Sequence, residues 1–319
     1  MNIPTKCPLC RAAAPFKCAR KHEEGEITYT LYGCHTCDAE FWWPLKNPGA
    51  IWYDHDVRYA GGNTEPVWAP HWYHKRILSY LAPFNGRVLD VGCGNGNFLV
   101  SAQKSGWKSY GIDISSTAVE AGKKWFGLDG LEVSDIVTYA RTYVGEKFDL
   151  VTFFDVLEHV DNHNEFIESV RTLLKPGGYV AMSMPYRKHA QWLMPLDVPP
   201  RHLTRWDRTS LKRFLEGHGF SVVLITRHTD GLWPIILKLR FNFGRRLSFG
   251  AVNAVKRSLD NKPETQKKRL FLVRVTQLIA KIKDTCIFGL PAVLIWLFML
   301  PSPYRYRTLY AIARKYEGL

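Results

Sequence analysis

The sequence predicts an α/β fold, with a small cysteine module in front and a helical insertion late in the chain. Three observations carry that prediction. VLDVG (88–92) reads as a buried strand and opens onto glycines at 92, 94 and 96. The next segment, NFLVSAQKSG, has the apolar spacing of an amphipathic helix. A second strand, SYGIDIS, ends in Asp113, 23 residues after Asp90. Strand, glycine turn, helix and strand in that order form the repeating unit of a parallel sheet covered by helices.

The chain has 319 residues, room for one good-sized domain and a small one. Its 46% apolar and 13% aromatic content are globular values, so a core is available. The N-terminus, MNIPTKCPLC, has no signal-type apolar stretch, and a cytosolic start is expected. The net charge of +14 is uneven: residues 229–319 carry 17 Lys/Arg against 5 Asp/Glu, whereas the first 228 residues are nearly balanced. An evenly basic chain would suggest a nucleic-acid binder. A basic third that also holds the most apolar run suggests an anionic membrane surface.

Residues 1–48 are expected to form a ribbon. Cys7-Pro-Leu-Cys10 and Cys34-His-Thr-Cys37 are two C-x-x-C knuckles, with the alternating strand EITYTLYGC leading into the second. Four thiolates from two such turns make a closed tetrahedral Zn²⁺ site, which is structural and not catalytic. A redox role is not supported, because no strand-then-helix context follows either pair. Cys18 and His35 are read as non-ligands. Residues 49–84, rich in aromatics, Pro and Gly, read as a linker with a lead-in helix near residues 66–82. Its His55, His71 and His74 are taken as packing or surface residues.

The glycine turn at 92–96 lets a ligand approach the backbone and the N-terminus of the following helix. A nucleotide dehydrogenase could carry such a turn as well. Asp113, at the end of the second strand, is placed to accept hydrogen bonds from both ribose hydroxyls of an adenosyl group.

In combination, VLDVGCGNG, GIDIS, VSDI, FDLVTFFDVLEHV and LKPGGYVAMSMP resemble the class I S-adenosylmethionine (SAM) dependent methyltransferases over residues 85–228. The resemblance implies a Rossmann-like seven-stranded sheet whose last strand inserts antiparallel between two earlier ones. It implies SAM as cofactor, with Asp90 and the Gly92, Gly94 and Gly96 turn at the methionine end. Asp113 with Ile114 would lie at the ribose and Asp135 at the adenine amino group. Phe154 and Asp155 would close the site. Cys93 is read as packing. A dehydrogenase does not account for LEHV or for KPGG before a strand.

DVLEHV after the fourth strand resembles small-molecule methyltransferases, including ubiquinone-type O-methyltransferases and enzymes of bacterial surface-glycan clusters. The sulfonium already carries an activated methyl, so what remains is in-line positioning of an acceptor and removal of its proton. His159 and His202 are the candidate bases, since imidazole titrates near neutral pH. His159 is read as opening a helix. Arg201 and Arg205 are candidates for holding an anionic acceptor. No metal-ligand set is seen in this domain, and no catalytic metal is expected.

GFSVVLITRH (219–228) reads as the sixth strand and YRTLYAIARK (306–315) as the seventh, which makes 229–305 an insertion between two strands of one sheet. Within it, Phe271, Val275, Leu278 and Ile282 form one stripe and Arg274, Gln277 and Lys281 another. The apolar run from Cys286 to Leu300 that follows is short and broken by Gly289 and Pro291. A basic amphipathic helix followed by a Pro-broken apolar segment is the pattern of an interfacial element. One crossing would put the two strands on opposite sides of the bilayer, so a single span is excluded. The expected function is therefore a SAM-dependent methyltransferase with a small-molecule, sugar or lipid-linked glycan acceptor. It would be cytoplasmic and peripheral at the inner face of the membrane. An RNA methyltransferase using the ribbon is the alternative enzyme, weakened by the near-neutral charge of the ribbon half. A non-catalytic SAM-binding scaffold is the remaining alternative.

Overall fold

A computed structural model describes residues 3–55, 70–82, 85–188, 197–229, 231–243, 266–302 and 306–317. In the N-terminal half it contains strands β1 (Lys17–Glu24), β2 (Ile27–Gly33) and β3 (Glu40–Trp43), then helices α1 (Ala50–His55) and α2 (Trp72–Tyr80). The alternating core follows as β4 (Arg87–Val91), α3 (Asn97–Lys104), β5 (Lys108–Asp113), α4 (Ser116–Phe126), β6 (Leu131–Val133) and α5 (Ile136–Thr142). It continues with β7 (Phe148–Phe154), α6 (His163–Leu173), β8 (Leu174–Pro185), β9 (Thr204–Arg205), α7 (Arg208–Gly217) and β10 (Phe220–His228). The last elements are α8 (Trp233–Phe243), α9 (Gln266–Met299) and β11 (Thr308–Lys315).

Seven strands form one sheet in the order β10-β11-β8-β7-β4-β5-β6. β4, β5, β6, β7 and β8 run parallel, and β11 runs antiparallel to both of its neighbours. The central strands are buried on both faces, which is why VLDV and DLVTFF are near-continuous apolar runs with no alternation. Val88, Leu89, Leu150 and Val151 are fully enclosed, with Phe98, Leu99 and Trp107 packing over one face. Strand order reverses between β7 and β4, and ligands of open α/β sheets bind outside the carboxyl ends at such a point.

The ribbon sheet has the order β1-β2-β3-β9. Its fourth strand, Thr204–Arg205, comes from the loop ahead of α7, so the ribbon extends beyond residues 1–48. The ribbon and the seven-stranded sheet fall in one compact unit, residues 1–187, 195–228 and 308–319. The lead-in helix is observed as Trp72–Tyr80, and the expected residues 66–69 lie outside the described residues.

Residues 188–194 and 229–307 make a second unit. Here the expected break does not occur: α9 is one helix of 34 residues that runs through Gly289 and Pro291. Proline forfeits one backbone hydrogen bond. Next to it, Ala292 is buried against Ile235 and Ile236 of α8, which holds the segment helical. Arg240 and Asp284 pair across the two helices at 2.8 Å. Lys281–Met299, 19 residues, is long and apolar enough to cross a membrane by length and composition alone. Helix α9 leaves Leu278, Ile282, Leu290, Leu294 and Phe298 exposed, the last at 86%. The side chain of Phe271, expected on this stripe, lies outside the described residues.

Candidate active site

A cavity opens at the carboxyl ends of the parallel strands. Its wall holds Gly92 and Gly94 after β4, Asp113 and Ile114 after β5, Ser134 and Asp135 after β6, and Phe154 and Asp155 after β7. The glycine turn is built for backbone exposure. Gly92 has φ +68°, and a Cβ there would come within 2.5 Å of Val156; at Gly94, with φ +53°, a Cβ would project into open space. An unobstructed backbone beside a helix N-terminus is what the polar end of a cofactor needs.

Asp113 is set by the same turn. Its two oxygens accept from the Gly94 and Ser115 amides, each at 2.8 Å. Each carboxylate oxygen has a second lone pair, so acceptor capacity remains for a diol. Burial pushes its pKa up, against the amides that hold the charged form. Asp135 caps α5, accepting from Val137 and Thr138, with Thr138 Oγ1 on its other oxygen at 2.6 Å. It lines the cavity with both oxygens already engaged.

Two of the expected cofactor residues lie off the wall. Asp90 is buried beneath the turn, where it accepts from Thr152 Oγ1 at 2.6 Å, and burial raises its pKa to about 7. Gly96 caps α3 against Leu128. Both shape the turn from behind.

The opposite wall brings in residues that no motif marked. Asn47, Gly49, Ala50 and Tyr53, from the segment read as linker, line the cavity beside His159. Asn47 Nδ2 donates to the His159 carbonyl at 2.7 Å, and Asp54 receives hydrogen bonds from Ser115 and Thr117. Tyr73 of α2 donates to Asp155 at 2.9 Å, and Ser183 holds the other oxygen of that carboxylate. Asp155 sits at φ +55°, a strained position for a residue with a Cβ.

His159 does not open a helix. It ends the 3₁₀ turn Leu157–His159, and α6 begins four residues later. Its Nδ1 donates to the Arg201 carbonyl at 2.6 Å, which fixes the tautomer, and burial lowers its pKa to about 3. His202 is not on the cavity wall, but its ring centroid lies 4.9 Å from that of His159. Its Nδ1 donates to Asp197 at 2.8 Å, leaving Nε2 as the basic nitrogen of a carboxylate–imidazole pair. Asp197 is 2% exposed, and no sequence spacing pointed to it. Glu158 is buried against both imidazoles, and burial pushes its pKa well up.

Arg205 is almost enclosed, and three of its five N–H donors go to Asp197, Glu40 and the Arg187 carbonyl. Arg201 lies over the Trp52 ring at 5.3 Å.

Apart from the cavity, Cys7, Cys10, Cys34 and Cys37 gather their sulfurs. Cys7 and Cys37 are 3.8 Å apart, Cys10 and Cys34 3.6 Å. A tetrahedron with Zn–S bonds of about 2.3 Å has edges of about 3.8 Å, so the donor set fits that ion. Cys18 is exposed on β1 and does not join them.

Residues 69–225 match a family model described as a methyltransferase domain. A ubiquinone biosynthesis O-methyltransferase from Bartonella bacilliformis is 29% identical over 152 residues, covering 46% of this chain and 61% of the relative. One from Alkalilimnicola ehrlichii is 29% identical over 206 residues, covering 56% of this chain and 82% of the relative. The chain thus spans about three fifths of the first of these relatives. Among solved structures, phosphoethanolamine N-methyltransferase 2 from Haemonchus contortus, in complex with SAM, aligns with a TM-score of 0.56 at 16% identity. That alignment covers 93% of this chain and 71% of the other. The [4+2]-cyclase SpnF aligns with a TM-score of 0.51 at 17% identity, covering 86% and 99%. At such identities the likeness concerns the fold, and function has to come from the site.

Proposed function

We propose, from the premise that this chain belongs to the class I SAM-dependent methyltransferases, that it transfers a methyl group to a hydroxyl of a small amphiphilic acceptor. A sugar or a lipid-linked glycan fits that description. One observation carries the reading: an open glycine turn with a diol-accepting carboxylate faces a wall that holds His159, and the Asp197-paired imidazole of His202 packs directly behind it. SAM supplies the activated methyl group when bound.

In this reading Gly92 and Gly94 leave room for the methionine end, Asp113 with Ile114 takes the ribose, and Asp135 and Phe154 border the adenine. Asp155, held by Tyr73 and Ser183, fixes the floor between cofactor and acceptor. The acceptor's proton comes to rest on His202. His159, with a pKa of about 3, does not hold a proton at neutral pH, whereas His202 is held through Nδ1 by Asp197, which leaves its Nε2 as the acceptor nitrogen. His159 and Tyr53 then orient the acceptor at the cavity wall. Cys7, Cys10, Cys34 and Cys37 hold one structural Zn²⁺.

The second unit would bring the enzyme to its acceptor. β10 and β11 are hydrogen-bonded neighbours, so a chain crossing the bilayer once between them could not form the sheet. Helix α9 is about 28 Å long over its apolar 19 residues, so topology rather than length argues against a span. An exposed apolar face on a basic helix supports peripheral contact with an anionic, cytoplasmic membrane surface. Radiolabelled SAM incubated with separated lipid, glycan and RNA fractions tests the whole reading. Label is expected in lipid or glycan; label in RNA, or none anywhere, would overturn it.

A further inference from the structure

We infer that the cysteine ribbon positions the proton-accepting histidine, with Glu40 and Arg205 as the positioning residues that connect them. This rests on the reading of His202 as the proton's resting place, and it adds a function to a module otherwise taken as a scaffold.

The connection is continuous. Glu40 begins β3 three residues after Cys37 and lies opposite Arg205 of β9. Its carboxylate accepts from Arg205 Nη1 at 3.0 Å; Arg205 Nε donates to Asp197 Oδ2 at 3.0 Å; and the other oxygen of Asp197 accepts from His202. The backbone runs in parallel with this chain of charges. Trp42 N donates to the Leu203 carbonyl at 2.8 Å, and Leu203 N donates to the Glu158 carbonyl at 2.7 Å. The residue next to His202 is thereby pinned between the ribbon and the turn that carries His159. A second strap joins Asp38, directly after Cys37, to Arg187, which also pairs with Asp207.

Burial gives these contacts their consequence. Arg205 and Asp197 are almost enclosed, at 10% and 2% side-chain exposure. A buried pair contributes little net stability but is costly to leave half-made, so its geometry is strongly fixed. Arg205 competes with His202 for Asp197, and Glu40 relieves that competition by neutralising Arg205. Removing the Glu40 charge should let Arg205 draw Asp197 away and weaken its hydrogen bond to His202 Nδ1. The charged or titratable groups facing His202 are Asp197, His159, Glu158 and Arg201, with Arg205 and Arg20 acting through Asp197.

The test is the NMR resonance of the His202 Nδ1 proton together with steady-state kinetics, in the full-length protein and in Glu40→Gln. The expected result is a shift of that resonance from its position in the parent, the mark of a weakened bond to Asp197. kcat should fall about three- to tenfold, and KM for SAM should stay unchanged. Cys34→Ser, if folded, should broaden or shift the same His202 resonance. A merely structural ribbon would lower the melting temperature of Glu40→Gln without moving that resonance; that result overturns the inference. Should His202→Ala keep full turnover while Glu40→Gln still shifts the imidazole, the ribbon positions His202 but the proton-acceptor reading fails. The two failures are therefore distinct.

Discussion

The cavity wall that carries Gly92, Gly94, Asp113 and Asp135 comes from one run of chain, the ends of three successive parallel strands. The opposite wall joins Tyr53 to His159 across 106 residues, and His159 to the Arg201 carbonyl across another 42. On the first wall, backbone geometry does the holding, so the residues needed are glycines and acids at fixed offsets from a strand end. On the second, side chains from the ribbon side, the 3₁₀ turn and the loop before α7 meet only after folding. The first kind of site leaves a motif in a sequence. The second leaves single residues with no mutual spacing.

The largest effect is expected just behind the second wall, at the imidazole packed against His159. His202→Ala should lower turnover roughly 10²–10⁴-fold, the usual contribution of a general base, with SAM affinity nearly unchanged by titration calorimetry. A matching loss in His159→Ala with His202→Ala near normal would move the base to the cavity wall itself. Equal SAM weakening in either variant would mean that the two walls are not functionally separate.

The legibility of each residue follows the same division. Asp113 was readable as a cavity residue because an acid at the end of a parallel strand comes to lie at the carboxyl edge of the sheet. Cys7, Cys10, Cys34 and Cys37 were readable from two tight turns. β10 and β11 followed from alternating apolar strands flanking an unusual insertion, and the observed pairing is antiparallel as expected. Asp197 and Tyr53 were not readable: an isolated Asp near two prolines and a Tyr in an aromatic linker carry no periodic signal. Arg205 was misread as an acceptor contact because its partners, Glu40 and Asp197, lie 165 and 8 residues away. The break at Pro291 was misplaced because local propensity gave way to packing of Ala292 against α8.

Beneath the first wall, Asp90 links protonation to stability. Its folded-state pKa of about 7 stands above the ordinary value of 3.8, so the folded protein binds a proton that the unfolded chain releases. That contribution is fully present below pH 3.8 and is lost as pH rises toward 7 and beyond. Asp90→Asn keeps the acceptor for Thr152 and removes the titration. Between pH 4 and 8 the parent should lose up to about 4 kcal/mol more stability than the variant, three pKa units at 1.36 kcal/mol each. Denaturant melts of both proteins at the two pH values measure it. Identical pH slopes would show that Asp90 titrates normally and that burial beneath the turn is incomplete.

A smaller loss is expected at the ribose end. Asp113→Ala should weaken SAM by about 2–3 kcal/mol, the range for removing hydrogen bonds to a charged group. The Gly94 and Ser115 amides also lose their acceptor, so the melting temperature of the free protein has to be measured beside the affinity. A drop in both with no change in binding enthalpy would assign Asp113 to the turn alone.

The smallest effect lies in the second unit, where the question is what covers an apolar face. Leu278 is 57% exposed on α9. If that face lies on lipid, the full-length protein should sediment with anionic vesicles. High salt should release it only in part, because salt screens the basic side chains but not the inserted apolar ones. Leu278→Glu should then weaken vesicle binding about tenfold, the order of one leucine's transfer from water, while the melting temperature stays put. The same substitution at an interface between two copies of the chain would instead lower the mass in sedimentation equilibrium and leave vesicle binding absent in both proteins. Residues 306–317 becoming protease-sensitive on the far side of sealed vesicles would contradict the observed β10–β11 pairing. In that case α9 would have to span, because the chain would leave β10 on one side of the bilayer and reach residue 306 on the other.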